Sequence, residues 1–209
     1  MILLENLFTP LQLRTLASIV QVGDAAYWEC VNNSQNALFN HRYLSSEKNR
    51  VRTKFVQMQG ELESHDPTFP FWFGERVFSY NQVIPELRTE NAIIHIACSA
   101  SPDSLSYPSK YKIDLSYNNS EFQRQMILIP DNTPPYGDGP YYCILTFGGC
   151  GKSFAAIQLP EPGYNGIAGL IQLPLLALES NSEEAELVER KKAVLKEKVI
   201  KQIKEETVS

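Results

Sequence analysis

The feature that most constrains this chain is a pair of apolar runs, Tyr141 to Phe147 and Ser153 to Leu159, joined by the knot Gly148-Gly149-Cys150-Gly151-Lys152. Alternate residues of a strand share a face, so Tyr141, Cys143, Leu145 and Phe147 fall on one side and Tyr142, Ile144 and Thr146 on the other. Both sides begin apolar, which places the first run inside a sheet rather than at its rim. Gly151-Lys152-Ser153 has the ending of a phosphate loop, but where the Walker pattern needs its first glycine this chain has Thr146. Pro160 also cuts the second run too short for a helix that would aim its amides at a phosphate. The stretch therefore reads as a central β-hairpin with Cys150 and Lys152 at its tip.

The rest of the C-terminal half has the same character. Ala92 to Cys98, Tyr111 to Ser116, Gln125 to Ile129 and Ile167 to Leu173 are short runs separated by Pro, Gly, Asn and Ser clusters, and each is expected to be a strand. For Tyr111 to Ser116 a helix leading to Asn118 is the alternative. Short connections favour antiparallel neighbours, because parallel ones need a long crossover.

The first sixty residues read as helices. Thr9-Pro10-Leu11-Gln12 combines a capping residue, a proline at the first helical position and a capping-box glutamine. Leu13, Leu16, Ile19 and Val20 then mark one face; Gly23 is expected to end that helix and Asp24 to cap a second. A third is expected over Glu47 to Gln59, stopping at Gly60. Between helices and sheet, Phe69, Phe71, Trp72, Phe73, Phe78 and Tyr80 lie in a loop read as folding back on a core or forming an adhesive patch. From Asn181 a charged helix closes the chain, acidic first and basic later, as the helix dipole favours, with a narrow stripe Val188, Leu195, Val199 and Ile203. It is expected to dock on a partner or on the sheet.

The fold expected is α+β: N-terminal helices packed on a mostly antiparallel sheet of five or six strands, with an amphipathic C-terminal helix. Residues 1–178 are read as one domain, with a helical layer at 8–60 and a β-rich part at 91–174; 179–209 form the charged helix and tail. With 209 residues, 43% of them hydrophobic, the chain can bury one sizeable core. No secretory leader or membrane span is read, and the expected location is a cytoplasmic, soluble one without membrane association.

The chemistry is sparse. Cys30, Cys98, Cys143 and Cys150 have no CxxC spacing, and His41, His65 and His95 are spread apart, so no zinc and no other cofactor is expected. His95 and Cys98 would point to opposite faces of a strand, and His95 is read as a hydrogen-bonded strand histidine. Asp103, Asp114 and Glu121 near Lys110 and Lys112 lack the order of a metal-dependent nuclease. Cys150 beside Lys152 is a weak candidate nucleophile, since a cation stabilises thiolate.

A net charge of −5 gives no general attraction to nucleic acid, but Arg42, Lys48, Arg50, Arg52 and Lys54 oppose only Glu47. The function expected is binding through protein contacts, at Phe71, Trp72 and Phe73, at Lys152 in the hairpin tip, and at the C-terminal helix. A nucleic-acid-binding protein using Arg50 and Lys54, with or without nuclease activity, is the alternative, and a cysteine-dependent enzyme the third. Self-association through an edge strand or the last helix is left open.

Overall fold

A computed structural model describes residues 4–32, 48–77, 83–122, 139–149, 153–175, 189–199 and 201. The expected strand Gln125 to Ile129, the hairpin tip with Cys150 and Lys152, Phe78, Tyr80 and Arg42 lie outside the described residues. The protein is α+β, and it divides into two compact units, Met1–Arg14 with Pro70–Pro174 and Thr15–Phe69 with Leu175–Ser209.

The first unit is built on six strands: β1 Trp72–Val77, β2 Val83–Arg88, β3 Ala92–Ser99, β4 Tyr141–Gly148, β5 Phe154–Pro160 and β6 Ile167–Leu173. They lie side by side in chain order. β4 and β5 pair antiparallel, forming the expected hairpin, and β4 lies inside the sheet between β3 and β5. Gly148 is required there by a close approach: a Cβ would sit 2.2 Å from the Ser99 carbonyl oxygen on the neighbouring strand. Every strand pair is antiparallel except β3 with β4, which run parallel from Ala92↔Tyr141 to Ser99↔Gly148. That exception follows from the long connection between them, whose length permits a crossover.

Part of this connection is helical, not extended: α3 spans Lys110–Ser116, followed by a 3-10 stretch, Tyr117–Phe122. The strand expected over Tyr111 to Ser116 is thus corrected to the helical alternative. Half-buried Ile113 and Leu115 pack against Tyr142, Ile144 and Tyr164, and this packing overrides the alternating pattern of the sequence. Asn119 pins the connection to the sheet, donating from Nδ2 to the carbonyls of Tyr142 and Pro160 at 2.9 and 2.8 Å and accepting the Tyr142 amide at 2.8 Å.

The aromatic segment read as a loop contributes β1. Pro85 falls in β2 opposite Glu75 of β1, beyond the part of β2 that pairs with β3, so its missing N–H costs no ladder bond on that side. The sheet has unlike faces. Leu87, Ile94, Ile96, Cys143, Leu145, Ala155, Ile157 and Leu159 supply a buried apolar one. Glu86, His95, Tyr142, Thr146 and Gln158 supply the other, also buried.

The second unit is helical. α1, Pro10–Asn32, begins in the first unit with the expected capping box, Thr9 and Gln12 exchanging hydrogen bonds of 2.8 and 3.2 Å, and continues into the second. It does not stop at Gly23. A Cβ at Gly23 would lie 2.7 Å from the Cα of Val56, so this glycine serves close helix contact rather than termination. Likewise α2, Lys48–Glu63, runs through Gly60. The C-terminal helix, α4, is described over 189–199 and 201. Its Leu195 and Val199 join Ala26, Tyr27, Cys30, Val51, Phe55 and Met58 in one core, so its stripe docks on α1 and α2. Lys191, Lys192 and Lys198 pair with Glu63, Glu29 and Glu61 at 2.6, 2.9 and 2.8 Å around that core.

Candidate functional site

The polar face of the sheet carries buried Glu86 and His95 together with the Tyr142 phenol. Glu86 of β2 faces His95 of β3, because the register pairs Leu87 with Ile94. His95 Nε2 lies 3.0 Å from Glu86 Oε1 and Nδ1 lies 3.2 Å from the Tyr142 hydroxyl. Arg76 of β1 and Arg88 of β2 complete the shell, both donating to the Glu86 carboxylate.

The protonation states follow from these contacts. Burial pushes the Glu86 carboxyl up, but hydrogen bonds from His95, Arg76 and Arg88 outweigh it and hold the group down at about 2. Burial lowers His95 below its usual range, and Glu86 offsets that only in part. A neutral imidazole facing an ionised carboxylate carries its proton on Nε2 and donates it there. Nδ1 is then an acceptor, and Tyr142 donates to it. Burial raises the Tyr142 phenol well above its ordinary value, so it keeps its proton. The sequence reading of His95 as a hydrogen-bonded strand histidine agrees with this. Glu86, His95 and Tyr142 thus satisfy one another along the line.

A second cluster lies under the loop between β3 and α3. Gln158 of β5 holds this loop, donating from Nε2 to the carbonyls of Pro102 and Ser104 at 2.6 and 3.0 Å. Ser106 follows and is buried. Lys112 of α3 donates from Nζ to Ser106 Oγ and to the Tyr107 carbonyl, each at 2.8 Å. Ser106 Oγ lies 2.9 Å from the hydroxyl of Tyr164, which comes from the 3-10 turn Pro162–Tyr164 between β5 and β6. Among the described residues no carboxylate pairs with Lys112, and burial alone pulls its ammonium down to about 8. Burial pushes the Tyr164 phenol up to about 12, with its Ser106 hydrogen bond offsetting part of the rise.

The residues singled out from sequence are dispersed. Phe71 is buried, Phe73 half-buried, and Trp72 between them is 61% exposed. Val77 of β1 and its partner Val83 of β2 are also exposed, at 67% and 45%. Of the basic segment, Arg52 is buried and spent on Asp24, its Nη2 2.7 Å from Oδ2. Arg50 is exposed and Lys54 half-buried. Burial pushes the Cys30 and Cys143 thiols up, away from thiolate reactivity. Among the described residues no group of three or more His, Cys, Asp or Glu side chains could hold a metal ion, and no helix is long and apolar enough to cross a membrane.

Sequence reasoning missed Glu86, Ser106, Lys112, Tyr142 and Tyr164 as partners, since no spacing rule connects residues brought together by sheet register and a crossover. The single available signal was His95, a polar residue at a central position of an otherwise apolar run. Comparisons with family models, with curated proteins and with solved structures return no match to this chain.

Proposed function

We propose that this protein works by binding another protein, taking an extended segment of its partner along the outer edge of β1. The supporting observation is the contrast between rim and interior of the sheet. The Glu86, His95 and Tyr142 line is closed on itself, whereas Trp72, Val77 and Val83 offer apolar surface at the end of the sheet. Among the described residues β1 pairs with β2 alone, so its far side has backbone donors and acceptors for an added strand. An exposed tryptophan beside such an edge suits the anchor role that aromatic residues take at interfaces.

The test is site-specific photo-crosslinking in the native host, with a benzophenone amino acid at position 72 and, as control, at position 11, where Leu11 is 56% exposed. A discrete protein adduct is expected from position 72 alone, and Val77→Glu should remove it. Adducts equal at both positions, none at 72, or an adduct destroyed by nuclease would overturn the reading.

A further inference from the structure

The cluster of Ser106, Lys112 and Tyr164 is built differently from the Glu86 line. Lys112 is only 9% exposed, yet among the described residues its partners are a hydroxyl and a carbonyl, with the Tyr164 ring 6.0 Å from Nζ. A buried ammonium without a carboxylate forfeits solvation and gains no ion pair in return. Tyr164 has φ 62, a left-handed conformation uncommon for a residue with a side chain, and it follows Gly163 at φ 77. That turn aims the Tyr164 hydroxyl at both the hydroxyl and the carbonyl of Ser106, at 2.9 and 3.1 Å. Next to Ser106, Tyr107 is 88% exposed, so the cluster lies just beneath the surface.

We propose that Ser106 is an acyl-accepting nucleophile, with Lys112 as its general base and Tyr164 as the group that positions its hydroxyl, acting on small activated esters. The unprotonated Lys112 amine takes the Ser106 proton as Oγ bonds to the ester carbonyl carbon. The tetrahedral adduct then collapses, the bond to the alcohol oxygen breaks, and Lys112 returns the proton to that leaving oxygen. Water attacks the acyl-serine in the same way, Lys112 accepting its proton and giving it to Ser106 Oγ. The balance is one ester and one water consumed, one acid and one alcohol released, with no oxidant or metal required. Nucleophile and base lie 2.8 Å apart, within the reach such transfers need.

The base works only when neutral, so reactivity rises with pH through the Lys112 value of about 8. The titratable groups around it do not share that midpoint. His95 of β3, which feels the Lys112 charge, is held below its usual 6.5, and Tyr164 lies at about 12. Tyr111, the neighbour of Lys112 on α3, is raised above 10.0 by burial.

The experiment treats the full chain with a small alkyl fluorophosphonate and maps the adduct by mass spectrometry across pH. Ser106 is expected to carry the label, with a rate that climbs to a plateau and a midpoint near pH 8. Lys112→Met should slow labelling about 100-fold or more. Tyr164→Phe, the milder variant, should lower the rate while leaving the midpoint in place; it keeps the test decisive if Lys112→Met does not fold. Para-nitrophenyl acetate should give a burst of one nitrophenol per chain, absent from Ser106→Ala. Labelling on other serines, none on Ser106, a pH profile without that midpoint, or a rate unchanged by both variants would overturn the proposal.

Discussion

Two buried charges sit on one face of the same sheet and are treated in opposite ways. Glu86 is surrounded by two guanidiniums and an imidazole, and is held ionised down to about pH 2. Among the described residues Lys112 has only neutral partners, and its ammonium is weakened to about 8. Burial opposes both ions, so the difference lies in what the neighbouring strands and loops supply. Register decides it: β1 and β3 place Arg76 and His95 beside Glu86, whereas the loop and turn that meet Lys112 bring hydroxyls and carbonyls. A compensated charge anchors a fold, and an uncompensated one strains it while remaining chemically available.

The largest effect that would break this contrast is expected from Glu86→Ala. Removing the one anion leaves the buried His95 without its acceptor and the Arg76 and Arg88 guanidiniums without their shared partner. Denaturant unfolding near pH 7 should show a loss of about 3–5 kcal/mol. The sign with pH follows from the depressed value: the stability due to Glu86 is complete above its ordinary 4.5 and disappears as pH falls toward about 2. At about 1.4 kcal/mol per pKa unit it is on the order of 3 kcal/mol. The gap between wild type and variant should therefore close over that acid window. A gap that persists unchanged at pH 2 would mean that shape, not charge, was lost.

A middle effect is expected from Tyr142→Phe, which removes the hydroxyl donating to His95 Nδ1 and keeps the ring in its cluster with Ile144 and Tyr164. The cost should be about 1–3 kcal/mol, because a buried acceptor goes unpaired. Imidazole NMR should show whether Nδ1 then gains a proton; no change in the ring shifts would contradict the tautomer assigned above.

The smallest effect should come from Lys112→Met, within about 1 kcal/mol of wild type at neutral pH, since the lost hydrogen bonds are offset by a relieved burial cost. The slope with pH has the same sign as for Glu86, but it falls in the alkaline window and reflects relief of an unfavourable buried charge. The unfolded chain binds the Lys112 proton more tightly, so between about 8 and 10.5 wild type should gain stability relative to the variant. A Lys112→Met variant that loses as much as Glu86→Ala would erase the distinction between the two charges.

The legible parts of the sequence were those whose local pattern agreed with tertiary demand. The runs forming β3, β4, β5 and β6 are apolar and bounded by Gly, Pro, Asn or Ser, so periodicity and punctuation coincide. Tyr111-Lys112-Ile113-Asp114-Leu115 alternates apolar and polar as an exposed strand would, yet the chain coils there so that Ile113, Leu115 and Lys112 all turn inward. Gly23 reads as a stop because a glycine's role in helix contact depends on the other helix, which no window on one segment can see. The same holds for Ser106, Lys112 and Tyr164. Their meeting requires the loop, the crossover and the β5 to β6 turn to be in place at once.

The parallel junction of β3 and β4 is expected to be the slow step of folding. On one side of it β1, β2 and β3 form a meander of near neighbours, and on the other β4, β5 and β6 form a second. Each closes through short connections, whereas Ala92 must find Tyr141 across the whole crossover. Closing a loop of that length costs roughly 3 kcal/mol in chain entropy before any contact repays it. Two quickly formed halves and one slow seam are the expected order of events, and until the seam closes, the edges of β3 and β4 stay open to association.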